Sequence, residues 1–196
     1  MVWINGKEET KRTYGEMAMS ILCKNQVDLS TTETHRTCKQ SVGYCAHFAE
    51  VLVDIYTGKV KIVDYVAVHD VGKALNPGIV KGQVEGGVQM GIGYALYEEI
   101  RISREGIPLD DSFKKYHLVN APDMPEVRLF LIEEEEPGGP FGAKSIGEIT
   151  VVPVAPAIVN AVNNALGTEF AKIPVTPAII MEELARREMS LYAAGI

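Results

Sequence analysis

The stretch GGPFGAKSIGEITVVPVAPAIVNAV, residues 138–162, joins a glycine-rich loop to a run of small apolar residues, with one carboxylate, Glu148, at the joint. Two chemistries suit an acid in that position. It can meet the free amides of a starting helix, which lowers its pKa. Alternatively, apolar neighbours desolvate it, raise its pKa toward neutrality and make it a general base. The residues alone leave both open. The loop resembles a phosphate cradle, but Ala143 separates Gly142 from Lys144, where that motif requires Gly and Lys side by side. No complete GxGxxG is present either, so nucleotide binding of either common kind is disfavoured.

A second candidate lies in VKGQVEGGVQMGIGYAL, residues 80–96, which carries Gly82, Gly86, Gly87, Gly91 and Gly93. Glycine costs a helix about 1 kcal/mol against alanine, so five of them call for a reason. Bare backbone lets another backbone or a flat ligand approach closely. Gln83, Gly87, Gly91 and Tyr94 fall near one face, and a glutamine there can donate and accept hydrogen bonds at once. Tight helix-to-sheet packing meets the same residues and is the plainer reading.

The elements that must position these residues follow from periodicity and caps. Residues 13–24 show helical spacing through Met17, Ile21 and Leu22, and 28–42 read as a Ser/Thr-rich loop. Residues 44–54 and 58–70 read as two strands joined by a hairpin at Tyr56-Thr57-Gly58. Strict alternation puts Val60, Ile62, Val66 and Val68 on one face and Lys59, Lys61, Val63 and Tyr65 on the other. Asn76 caps a helix that begins at Pro77, runs to about Glu99 and carries a core stripe of Val84, Val88, Ile92 and Leu96. A further strand is expected over 126–134, with the acidic run 133–136 as its solvated end. A helix is expected from near Pro153 and Pro156, and a last one from a Thr176 cap and Pro177.

A chain of 196 residues that is 46% hydrophobic can bury one substantial core, and a single domain over 1–196 is expected. The net charge of −7 and the lack of a basic block argue against nucleic acid or an anionic membrane as partner. No apolar run approaches the roughly 20 residues of a membrane span, and MVWINGKEETKR lacks the apolar core of a secretion signal. A cytoplasmic location is expected. The three cysteines, Cys23, Cys38 and Cys45, form no CxxC pair, which argues against a disulfide framework or a zinc site. Cys38 and Cys45 near His35 and His47 could suggest a metal, but reduced thiols in or near a strand are the plainer reading. His69 and His117 are read as isolated structural histidines.

Two motifs together carry a resemblance. DVGKALNPGIVKGQVEGGVQMGIGYALYEE (70–99) resembles the signature of the xanthine dehydrogenase and aldehyde oxidase family, the molybdenum hydroxylases. AKSIGE (143–148) is similar to the Lys-x-x-Gly-Glu segment that holds that family's catalytic glutamate. The resemblance covers roughly residues 28 to 190 and includes the order and separation of the motifs. It implies an α+β fold, the C-terminal portion of a molybdenum cofactor-binding domain, with a mixed sheet, a hairpin and packed helices. It implies Glu148 as the base in a water-dependent hydroxylation of a heterocycle or aldehyde carbon, Gln83 as a hydrogen-bond partner of the molybdopterin, and Ile146 as a backbone position against that cofactor.

It also implies a molybdenum–molybdopterin site shared with a missing region or chain, and iron–sulfur and FAD groups on partner chains, for which three scattered cysteines cannot substitute. The chain is therefore expected to be inactive alone, and its apolar surface meant for the missing part makes self-association plausible. The alternative is a non-catalytic remnant that binds a partner without completing an active site.

Overall fold

The computed structural model describes residues 2–4, 6–25, 30, 32–34 and 41–193, which form two compact units, Met1–Thr37 and Cys38–Ile196. In the first, strands β1 (Val2–Ile4) and β2 (Lys7–Arg12) pair antiparallel and lead into helix α1 (Tyr14–Asn25). The helix starts on a reciprocal cap: Thr13 Oγ1 accepts from the Glu16 amide at 3.1 Å, and Glu16 accepts from the Thr13 amide at 2.7 Å. Met17 and Ile21 are half-buried on it, while Leu22, expected beside them, is exposed.

The second unit is built on a mixed three-stranded sheet in the order β3-β4-β5, comprising β3 (Cys45–Val53), β4 (Val60–Asp70) and β5 (Val127–Ile132). β3 and β4 form the expected antiparallel hairpin, and β5 pairs parallel to β4. The parallel pair needs a crossover, which helix α2 (Pro77–Leu96) and the irregular segment after it supply. Helices α3 (Val154–Leu166) and α4 (Pro177–Ala193) complete the unit. Asn76 caps α2 by accepting from the Ile79 amide at 3.1 Å, and Gly167 ends α3 in the left-handed conformation at φ 63°.

The core sits between the sheet and the helices. Val84, Val88, Ile92 and Leu96 of α2 meet Ile62, Tyr65 and Ala67 of β4 and Val154 and Ile158 of α3. A second cluster joins Val159 and Val162 to Val175 and Ile180, against Val51, Val53 and Val60 of the hairpin.

The expected strand faces are corrected in β4. The pairing runs Glu50–Asp64 and then Val51–Ile62, so Val63 is an extra residue, a β-bulge. One inserted residue inverts the alternation beyond it. Val60 and Ile62 do face the core, but Tyr65, Ala67 and His69 follow them inward, each fully buried, while Val66 and Val68 turn to the opposite face.

Candidate functional site

The loop that carries Glu148 is fastened to the end of β4. Asp70 uses both carboxylate oxygens: Oδ1 accepts from the Gly72 amide at 3.1 Å, and Oδ2 lies 2.5 Å from Lys144 Nζ. Both side chains of this ion pair are less than a tenth exposed, at 8% and 9%. The Lys144 amide donates to the Val71 carbonyl at 2.9 Å, tying main chain to main chain. Gly72, at φ 63°, accepts this close approach because a Cβ there would run into the Gly142 carbonyl. Burial pushes the Asp70 carboxyl up, but the Lys144 bond, the Gly72 amide and the Lys144 charge outweigh it and hold the group below its usual range. The same bond raises Lys144. Spacing alone does not show this pairing, because Lys144 first attracts notice only as part of a failed phosphate motif. Glu133, expected as a solvated strand end, also ties the loops: it accepts from the Ala74 amide at 2.6 Å and pairs with Lys73 at 3.5 Å.

A second contact fixes the loop's far end. A Cβ on Gly87 would collide with Thr150, and one on Gly91 with Val154, so the bare part of α2 receives the start of α3. Thr150 Oγ1 donates to the Gly147 carbonyl at 2.9 Å, and the Val151 amide to the Glu148 carbonyl at 3.2 Å. Cys45 Sγ faces the Ile149 carbonyl at 3.7 Å.

The glycines of α2 thus divide. Gly87 and Gly91 serve packing, against a helix rather than the sheet. At Gly82 and Gly86, as at Gly147, an added Cβ would meet nothing within 4 Å.

The two motifs are therefore brought together. Gln83 stands one turn before Gly87, a rise of about 6 Å, and Glu148 stands two residues before Thr150, the residue Gly87 touches. Both side chains are exposed, whereas Ile146 is half-buried against the main core. Among the described residues the Glu148 carboxylate has no hydrogen bond or ion pair, and α3 begins only at Val154. Among the described residues, Glu148 caps no helix, and apolar side chains do not enclose it.

The histidines differ from the expectation. His69 is not isolated: its Nε2 lies 2.7 Å from His47 Nε2, and His47 Nδ1 lies 2.8 Å from the Tyr65 hydroxyl. The bulge is what turns Tyr65 and His69 inward beside His47. Burial, then the neighbouring His69, holds His47 down at about 4, and burial also lowers His69. His69 Nδ1 is buried and has no hydrogen-bond partner among the described residues. His117 is exposed. His35 and Cys38, the other members of the suspected metal group, lie outside the described residues. Among the described residues no three His, Cys, Asp or Glu are placed to hold a metal ion. A cleft of about 440 Å³ lies at the far end of α2 between Ile92, Leu96, Tyr97 and Lys61, and none of the candidate residues lines it. No helix among the described residues is long and apolar enough to cross a membrane.

Comparison with known proteins places the chain in a family. The chain is 38% identical over 156 residues to the xanthine dehydrogenase molybdenum-binding subunit of Escherichia coli O157:H7, covering 79% of this chain and 21% of that subunit. It thus spans about a fifth of the length of that relative. CO dehydrogenase from Oligotropha carboxidovorans superimposes with a TM-score of 0.74 at 26% identity, over 92% of this chain and 23% of that one. Quinoline 2-oxidoreductase from Pseudomonas putida 86 superimposes with a TM-score of 0.66 at 31% identity, over 69% of this chain and 18% of that one. Residues 1–125 match the molybdopterin cofactor-binding domain, and with that match covering more than half of its length the chain belongs to this family of molybdenum-binding proteins.

Proposed function

We propose that the chain is one portion of a molybdenum hydroxylase, in which Glu148 is the general base and Gln83 and the backbone at Ile146 meet the pterin. The observation that carries this reading is the double fastening of the Glu148 loop, to Asp70 at the end of β4 and to Gly87 on α2. Among the described residues, an unpaired carboxylate lies two residues before Thr150 and an unpaired carboxamide one turn before Gly87, which supports this reading.

The residues present fit the cofactor. An exposed glutamine beside two glycines with open space above them, Gly82 and Gly86, leaves room for a flat, hydrogen-bonding group. When bound, the molybdenum–molybdopterin supplies the redox centre at which water-derived oxygen passes to a substrate carbon. Gln83 would orient that group through its amide. Glu148 would take a proton, which requires a carboxylate that is ionised yet poorly solvated. Because Glu148 is exposed in this chain, the atoms that exclude water from it belong to the rest of the molybdenum-binding region.

It follows that the isolated chain is inactive and completes its site only with that rest, while iron–sulfur and flavin groups on partner chains take the electrons. The domain match runs through both compact units, and this supports assigning all 196 residues to one molybdenum-binding portion. Substrate choice belongs to residues outside this chain.

The test is reconstitution. Co-expressed with the rest of a molybdenum-binding region, the wild-type chain should yield a complex that contains molybdenum and turns over, and Gln83→Ala should lower molybdenum occupancy several-fold. Full occupancy in that variant would remove Gln83 from the cofactor site.

A further inference from the structure

Among the described residues of the second unit, the helices pack on one face of the sheet. The buried hydrophobic residues of α2, α3 and α4, Val80 apart, join clusters with the inward strand residues, such as Ala49, Val51, Tyr65 and Ala67. The other face holds exposed apolar side chains beside the charged residues Glu50, Asp64 and Arg128. Phe48, Leu52, Phe130 and Ile132 are 61%, 62%, 55% and 52% exposed. The register joins most of them: Ala46, Val68 and Phe130 lie in a row across the three strands, beside the row Phe48, Val66 and Arg128, with Ile132 two residues along β5 from Phe130 and Leu52 beyond Glu50 on β3. With aromatic side chains of about 150–250 Å² each, the patch amounts to on the order of 400 Å², within the range of functional patches on monomers.

Resting on the functional reading above, we propose that this face is the docking surface for the remainder of the molybdenum-binding polypeptide, the four-fifths or so of the relatives' length that this chain does not span. Three observations identify the occupant. First, β4 and β5 are a parallel pair, an arrangement that in wholly parallel sheets is covered on both faces. Second, their sequences, VDYVAV and VRLFLI, carry apolar residues at outward as well as inward positions. Such strands read as buried on both sides, so a permanent layer fits better than a transient partner. Third, the relatives carry such a layer's worth of additional chain in the same subunit: the CO dehydrogenase and quinoline oxidoreductase chains contain this fold as 23% and 18% of their length.

The charge pattern sets the docking layer's chemistry. Glu50 stands directly across from Asp64 on this face, and Asp64 is already paired with Arg128. The covering layer is therefore apolar over Phe48, Val66, Val68 and Phe130, with a cation reaching Glu50 at the rim.

Thiol accessibility tests this. Phe48→Cys and Phe130→Cys in the full chain should react with a water-soluble maleimide nearly as fast as in the urea-unfolded chain. The aligned substitutions in the complete, molybdenum-loaded E. coli O157:H7 subunit should react at least tenfold more slowly than in its unfolded form. Fast labelling in the complete subunit overturns the proposal and leaves the reading of Glu148 untouched, because that subunit stays loaded. If labelling of the isolated chain is already slow and recovers on dilution, a second copy of the chain is the occupant and the proposal falls. Should a cysteine unfold either protein, Phe48→Ser and Phe130→Ser, followed by hydrogen exchange of β3 and β5 in the two proteins, give the same comparison.

Discussion

Removing the Lys144 ammonium should be the most damaging conservative change near the candidate base. In Lys144→Met the stem keeps its packing, and Asp70, only 7% exposed, keeps the Gly72 amide but loses the partner of its other oxygen. Breaking a buried ion pair from one side costs about 3–5 kcal/mol. The lower end applies, because Asp70 can escape by taking up a proton. The double variant Asp70→Asn/Lys144→Met leaves no orphaned charge and should cost only about 1–2 kcal/mol.

The pH dependence follows with a definite sign. Wild-type Asp70 is held below its ordinary value, so its contribution is present above the unfolded pKa of about 3.9 and fades as pH falls through the folded value. In Lys144→Met only burial and the Gly72 amide remain, and the Asp70 pKa rises. The deficit relative to wild type should therefore be largest near neutrality and shrink toward acid. Urea unfolding followed by circular dichroism at pH 7 and pH 4.5 measures both. A deficit below about 1 kcal/mol at pH 7, or one that does not shrink at pH 4.5, would refute the idea that this pair clamps the loop.

Two further outcomes test the packing. Gly87→Val forces a side chain into Thr150 and should cost about 1–3 kcal/mol or more, whereas Gly86→Ala enters open space and should stabilise the isolated chain by up to about 1 kcal/mol. Thermal melts rank the two, and an equal effect would mean that the contact between α2 and α3 is misplaced. The His47–His69 pair predicts acid sensitivity. His47 is held down at about 4, so the unfolded chain takes up the proton first and stability is lost as pH falls from about 6.5 toward 4, by about 2–3 kcal/mol. The protons belong to the pair rather than to either ring. A double His47→Gln/His69→Gln variant should flatten that part of the stability–pH curve, and an unchanged slope would mean the pair does not control it.

Much of the frame was legible because it is local. The Asn76 cap, the stripe at Val84, Val88, Ile92 and Leu96, the hairpin and the Thr176–Pro177 start each depend on neighbours within a turn or two, and the structure keeps them. The bulge at Val63 was not legible, because alternation is broken there by a single residue of strand-forming type and no glycine marks the spot. That one insertion hid both the buried Tyr65–His47–His69 network and the exposed face around Phe48 and Phe130. The Asp70–Lys144 pair was hidden for another reason: 74 residues separate its members, and each looks like an ordinary surface charge. Glu148 and Gln83 were legible as types in unusual positions, but their juxtaposition depends on Gly87 meeting Thr150, which only the fold reveals.

The most direct measurement is of Glu148→Gln within an assembled, molybdenum-containing complex, with turnover and metal content determined on the same sample. A carboxamide keeps the size and hydrogen bonding of the side chain but cannot take the proton. The variant should retain its molybdenum and lose turnover by at least about 100-fold, within the range that a positioned general base contributes. Turnover equal to wild type at equal metal content would contradict the assignment of Glu148 as the base.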